Sequence, residues 1–141
     1  MPKKTPDDVR LFRLVAEQRF EEASFLSKES KGVYAQGSVY LAGYAVECIL
    51  KALWLSRTPP SQRTAVINEF RGANAHDFDW LKRRYLESGG ERFPPEIARA
   101  FRGVNTWQTH LRYKPGKMRF ADAKLFLEAA ERILAWGNRR F

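Results

Sequence analysis

The sequence predicts an all-α protein: two long helices, two or three short ones and a long final helix. Three observations carry this. Apolar residues recur at intervals of three and four along most of the chain. No stretch holds the apolar–polar alternation of a half-buried strand. Pro-Pro, Gly-Gly and Pro-Gly pairs fall between the periodic segments. The 141 residues, 44% of them hydrophobic, suit one domain spanning 1–141 with a modest core. Ten Phe, five Tyr and four Trp are too many for a disordered chain.

The first helix is predicted over Val9–Ser27. Val9, Phe12, Ala16, Ala23 and Leu26 share one face, and Asp7 and Asp8 precede it where negative charge suits the helix dipole. Lys28 to Gly32 reads as a break. Val33–Ser56 is the strongest element. Val39, Ala42, Gly43, Val46, Leu50, Leu53 and Trp54 form its apolar stripe, and Ala42 and Gly43 allow close approach of another helix. Tyr40, Tyr44, Glu47 and Lys51 form a second line, read as a polar edge of a core helix that could also face a groove or a dimer partner. If exposed, Glu47 and Lys51 would add about 0.2–0.5 kcal/mol as an i,i+4 pair.

Pro59-Pro60 ends that helix, and Ser61 is placed to cap a short one over Gln62–Phe70, closed by Gly72. Asp77 is a good N-cap for the next, whose buried face is Phe78, Leu81 and Tyr85 and whose stop is Gly89-Gly90. Pro94-Pro95 opens a helix to about Phe101. Residues 107–117 read as a loop around Pro115-Gly116. The last helix is predicted over Phe120–Trp136, with Leu125, Ala129, Ile133 and Trp136 inward and Gly137 as its stop.

The net charge of +9 favours contact with phosphates or another acidic partner. The lone cysteine, Cys48, can make no intramolecular disulfide and reads as a small buried hydrophobe. The N-terminal MPKKTPDD has no apolar run after its lysines, and the apolar run Val39–Leu55 holds Glu47 and Lys51 and is read as too short to span a bilayer. A cytoplasmic protein with no membrane partner is expected. There is no glycine-rich phosphate loop, no Ser-His-Asp set and no cluster with zinc-ligand spacing.

Two stretches carry candidate chemistry. In RGANAH, four residues separate Arg71 from His76. Arginine presents a planar fork of donors to phosphate, and histidine exchanges protons near neutral pH. The bland alternative is a charged helix end followed by a loop histidine. His110, Arg112, Tyr113 and Lys114 form a basic loop that could hold phosphates and stack a base, or could simply be solvated.

Tyr40 to Leu55, YLAGYAVECILKALWL, resembles the second helix of the HEPN domain (higher eukaryotes and prokaryotes nucleotide-binding): Ala42 and Gly43, then Glu47, then Lys51-Ala52-Leu53. Ala75 to Leu81, AHDFDWL, is similar to the His-Asp stretch that opens the next major helix in that family. Trp107 to Tyr113, WQTHLRY, resembles an Arg-Tyr segment ahead of the final helix. The resemblance covers about residues 8 to 136. It implies an up-and-down helical bundle, often a homodimer, that binds RNA or a nucleotide. Many members are metal-independent endoribonucleases of the toxin or defence kind, needing no cofactor. Their signature is Arg, four to six residues, then His, which Arg71 and His76 match. Arginine holds the scissile phosphate, histidine moves protons, and two protomers often share the site. Other members bind a nucleotide without cutting, or act beside a nucleotidyltransferase or antitoxin partner.

Overall fold

The computed structural model describes residues 7–31, 33–106 and 118–141, and every regular element among them is helical. The α-helices are α1 (Asp7–Glu29), α2 (Ala35–Ser56), α3 (Arg63–Glu69), α4 (Phe78–Glu87), α5 (Pro95–Thr106) and α6 (Phe120–Asn138). Short 3₁₀ turns at Pro60–Gln62 and Ala73–His76 bracket α3. The architecture is the all-α fold expected from the periodicity and the helical bundle that the resemblance implies.

α2 is the axis. It packs against α1, α6 and α4, and it is buried without a break from Ala45 to Leu55. A helix surrounded by others has no wet side, so its apolar residues run all round it. Its 22 residues are long and apolar enough to cross a membrane, contrary to the expectation from the run Val39–Leu55, yet 83% of its most apolar window lies inside the bundle. The core of a bundle meets the same compositional test as a span. α1 turns Val9, Ala16 and Ala23 fully inward, and α5 contributes Ile97, Ala100, Phe101 and Val104.

Several boundaries differ from the sequence expectation for identifiable reasons. Gly32 and the loop 107–117 lie outside the described residues. Ser61 caps nothing with its side chain, because it sits inside the 3₁₀ turn that leads into α3. α5 continues to Thr106, five residues beyond Phe101, since Val104 still has a buried face to fill. In α6, Leu125 faces solvent and Phe126 takes the inward position. Gly137 does not stop α6, which runs to Asn138; a Cβ there would stand 2.9 Å from Ile49 Cγ1. The glycine is there for close approach of α6 to α2, not for a turn. Asp77 caps α4 as expected: its Oδ1 accepts from the Trp80 amide at 3.1 Å. Gly89, at φ +90°, closes that helix in the left-handed region.

Candidate active site

Residues 40, 44, 47 and 51 lie on one line of α2 because steps of four and three return to the same face of a helix. The line changes character along its length. Tyr40 and Tyr44 are 41% and 47% exposed. One turn further on, the Glu47 and Lys51 side chains are only 7% and 8% exposed. The difference comes from what lies above. Phe70, at the end of α3, sits with its ring 5.1 Å from Lys51 Nζ, and the 3₁₀ turn beyond it brings His76 over Glu47. The pair read as a polar edge is therefore a buried ion pair, with Nζ donating to Oε2 at 2.8 Å.

The RGANAH segment is strapped down at both ends. Phe70 packs edge-on against Phe12 and Trp54, with centroids 5.3 and 5.6 Å away. Ala75 is fully buried, and Asp77 starts α4. Between these anchors the Gly72 amide donates to the Glu69 carbonyl at 3.0 Å and the Ala75 amide to the Gly72 carbonyl at 3.2 Å. His76 closes the short 3₁₀ turn Ala73–His76, and Arg71 stands two residues ahead of that turn, with Gly72 as its extended N-cap. No hydrogen bond joins them; His76 is tied to α2 instead. Arg71 is exposed and makes no ion pair among the described residues.

The histidine's setting is specific. His76 Nδ1 is 2.9 Å from Glu47 Oε1, while its side chain is 57% exposed. An ionised carboxylate can only accept, so Nδ1 carries the proton and donates. Glu47 uses one oxygen for Lys51 and the other for His76. That fixes the ring's orientation and its tautomer. A buried carboxylate behind an exposed imidazole is the arrangement by which histidine is made an effective base.

Burial is felt nearby. It pushes the Cys48 thiol up to about 11, aided by the Glu47 charge and opposed by Lys51. Cys48, and then burial and Glu47, hold the Tyr44 hydroxyl above its ordinary range. Cys48 is the buried small hydrophobe expected of it.

His110, Arg112, Tyr113 and Lys114 lie outside the described residues. The basic run Lys82–Arg84 serves packing as well as solvation: Lys82 Nζ stands 5.1 and 5.0 Å from the Phe93 and Phe101 rings. Glu47 and Lys51 are the site residues that spacing alone missed. Two charges set in an otherwise apolar helix were the available signal. Surface clefts of about 240 Å³ beside Arg10, Arg13 and Asn138 and of about 280 Å³ between α1 and α6 contain neither Arg71 nor His76. Arg71 and His76 are themselves exposed.

A family model, the HEPN domain, matches residues 9–140. No curated protein and no solved structure matches the chain. The match spans nearly the whole sequence, and the chain belongs to the HEPN domain family.

Proposed function

From that membership, we propose that the protein is a metal-independent endoribonuclease of the toxin or defence type. The observation that carries this is the exposed His76 ring held at Nδ1 by the buried Glu47–Lys51 pair, at the end of the 3₁₀ turn that follows Arg71 and Gly72. In the proposed reaction Arg71 binds the non-bridging oxygens of the scissile phosphate. The 2′-oxygen attacks phosphorus as its proton leaves, and the bond to the 5′-oxygen breaks as that oxygen gains a proton. The products are a 2′,3′-cyclic phosphate and a 5′-hydroxyl. His76 performs one of the two proton transfers; in a homodimer a second copy can supply the other. Glu47 stabilises the imidazolium and is a positioning residue. On the sequence alone, His110, Arg112, Tyr113 and Lys114 add phosphate and base contacts, and the +9 charge draws RNA from solution. The cytoplasm is the proposed compartment.

A second reading is favoured by Gly72, which stands where cutting members commonly carry a polar residue. It is a non-catalytic module binding a nucleotide or a partner such as a nucleotidyltransferase. One experiment separates the two: incubation of a mixed RNA pool in EDTA with wild type, Arg71→Ala and His76→Ala. Cleavage leaving cyclic phosphate ends, lost in both variants, supports the nuclease. Absence of cleavage by a folded, dimeric wild type supports the binding module.

A further inference from the structure

We propose that the cleft between the start of α1 and the end of α6 binds a small hydroxylated phosphomonoester, held by its phosphate. The site lies apart from RGANAH and stands whether or not the protein cuts RNA.

Arg10, Arg13, Leu14 and Glu17 of α1 and Asn138 of α6 line a cleft of about 240 Å³. Steps of three and four put the four α1 residues on one side of that helix. Phe12, which packs on Phe70 beside RGANAH, projects about 150° around the helix from them, so the two regions use opposite sides of α1. Arg10 and Arg13 are neighbours at i,i+3, with Cβ atoms about 5–6 Å apart. Glu17, one turn on from Arg13, has the spacing to pair with it. Yet neither arginine forms an ion pair among the described residues. Arg13 is held by a ring instead: its Cζ stands 4.3 Å from the Phe141 centroid. Stacking covers a face of the guanidinium and leaves the Nη donors, which lie in its plane, to a ligand. Its Nε is buried without a hydrogen-bond partner, so no protein acceptor accounts for the pose. The helix ends that reach the cleft have opposed dipoles, positive at α1 and negative at α6, so the arginines decide its sign.

Size and charge give the ligand's class. The volume falls below the roughly 300–1,000 Å³ of sites for drug-sized ligands. No aromatic side chain among the described residues lines it for a base to stack on, so a whole nucleotide fits badly. One guanidinium fork satisfies a carboxylate. A phosphomonoester, with about −1.5 to −2 charge at pH 7 and three acceptor oxygens, matches two. Glu17 stands about 10 Å along α1 from Arg10, clear of the phosphate end. Its carboxylate accepts from a hydroxyl on the organic part, and Asn138 offers an amide donor from α6. Leu14 supplies the apolar side for the carbon skeleton.

The test is isothermal titration calorimetry of the full chain with inorganic phosphate, ribose 5-phosphate and ribose, with folding checked by circular dichroism. Ribose 5-phosphate is expected to bind about tenfold tighter than inorganic phosphate, and ribose alone not measurably. Arg10→Gln and Arg13→Gln should each weaken both phosphates by about tenfold or more. Arg10 is exposed, so its variant reports binding even if loss of the Phe141 contact unsettles Arg13→Gln. Glu17→Gln should tighten inorganic phosphate by removing a like charge, and should shrink the advantage of ribose 5-phosphate. Arg71→Ala, at the RNA-cutting candidate, should leave both affinities unchanged. Wild type that binds neither phosphate overturns the cleft. So does wild-type affinity in Arg10→Gln, or binding lost in Arg71→Ala instead, which would move the phosphate to RGANAH. A ribose 5-phosphate advantage that survives Glu17→Gln intact overturns the hydroxylated class.

Discussion

Two places in this molecule use the same parts and get different results. At Lys51 a cation meets a carboxylate at 2.8 Å and an aromatic ring at 5.1 Å. At Arg84 a cation meets Glu87 at 3.3 Å, Glu69 at 3.6 Å and the Trp54 ring at 5.0 Å. The first pair is at most 8% exposed; the Arg84 side chain is 39% exposed and its carboxylates more so. Water screens the second set, so its ion pairs are worth about 0–1 kcal/mol. The first set has lost its water, and removing one partner strands a charge in the core. Only the buried pair also holds an exposed titratable ring. Burial converts an ordinary i,i+4 contact into a fixed anchor for that ring.

The comparison can be broken from its strong side first. Glu47→Ala leaves the Lys51 ammonium buried and unpaired and should cost about 3–5 kcal/mol in urea unfolding. Replacing both members together, Glu47→Leu with Lys51→Met, should recover most of that stability, because no charge is then stranded. Next in size is a pH effect from the same buried region. The Cys48 thiol rises from 9.0 to about 11 in the folded chain. A raised acid contributes its full stability below the unfolded value and loses it as pH climbs through the folded one. Wild type should therefore lose about 2–3 kcal/mol relative to Cys48→Ala between pH 9 and pH 11, read from denaturant midpoints. Asp77→Ala removes the cap on the Trp80 amide beside His76 and should cost about 1 kcal/mol. The smallest effect is predicted on the weak side: Arg84→Ala should shift stability by about 1 kcal/mol or less, and added salt should shrink the difference.

Helices were legible because periodicity is a local property. The inward residues of α1, the Asp77 cap and the burial of Phe78, Leu81 and Tyr85 all follow from spacing and capping chemistry. What spacing could not convey was which element covers which. Glu47 and Lys51 read as a surface pair because nothing local says that Phe70 and a histidine 29 residues away fold over them. Gly137 read as a stop because its need, space against Ile49, comes from another helix. Leu125 and Phe126 were exchanged for the same reason: the inward direction of α6 is set by its neighbours. The Arg71–His76 spacing was visible, but with sixteen arginines in the chain it meant little until the turn joining them was seen to be pinned at Phe70 and Ala75.

The central claim is that Glu47 sets the working state of His76, and the imidazole tautomer tests it most directly. Long-range proton–nitrogen NMR of ¹⁵N-labelled protein, recorded where the rings are neutral and assigned with His76→Ala, reads which nitrogen holds the proton. A His76 ring protonated at Nδ1, lost to a tautomer mixture in Glu47→Leu/Lys51→Met, is the result this account predicts. A ring protonated mainly at Nε2 in the wild type would contradict it, since Nδ1 could then not donate to Glu47.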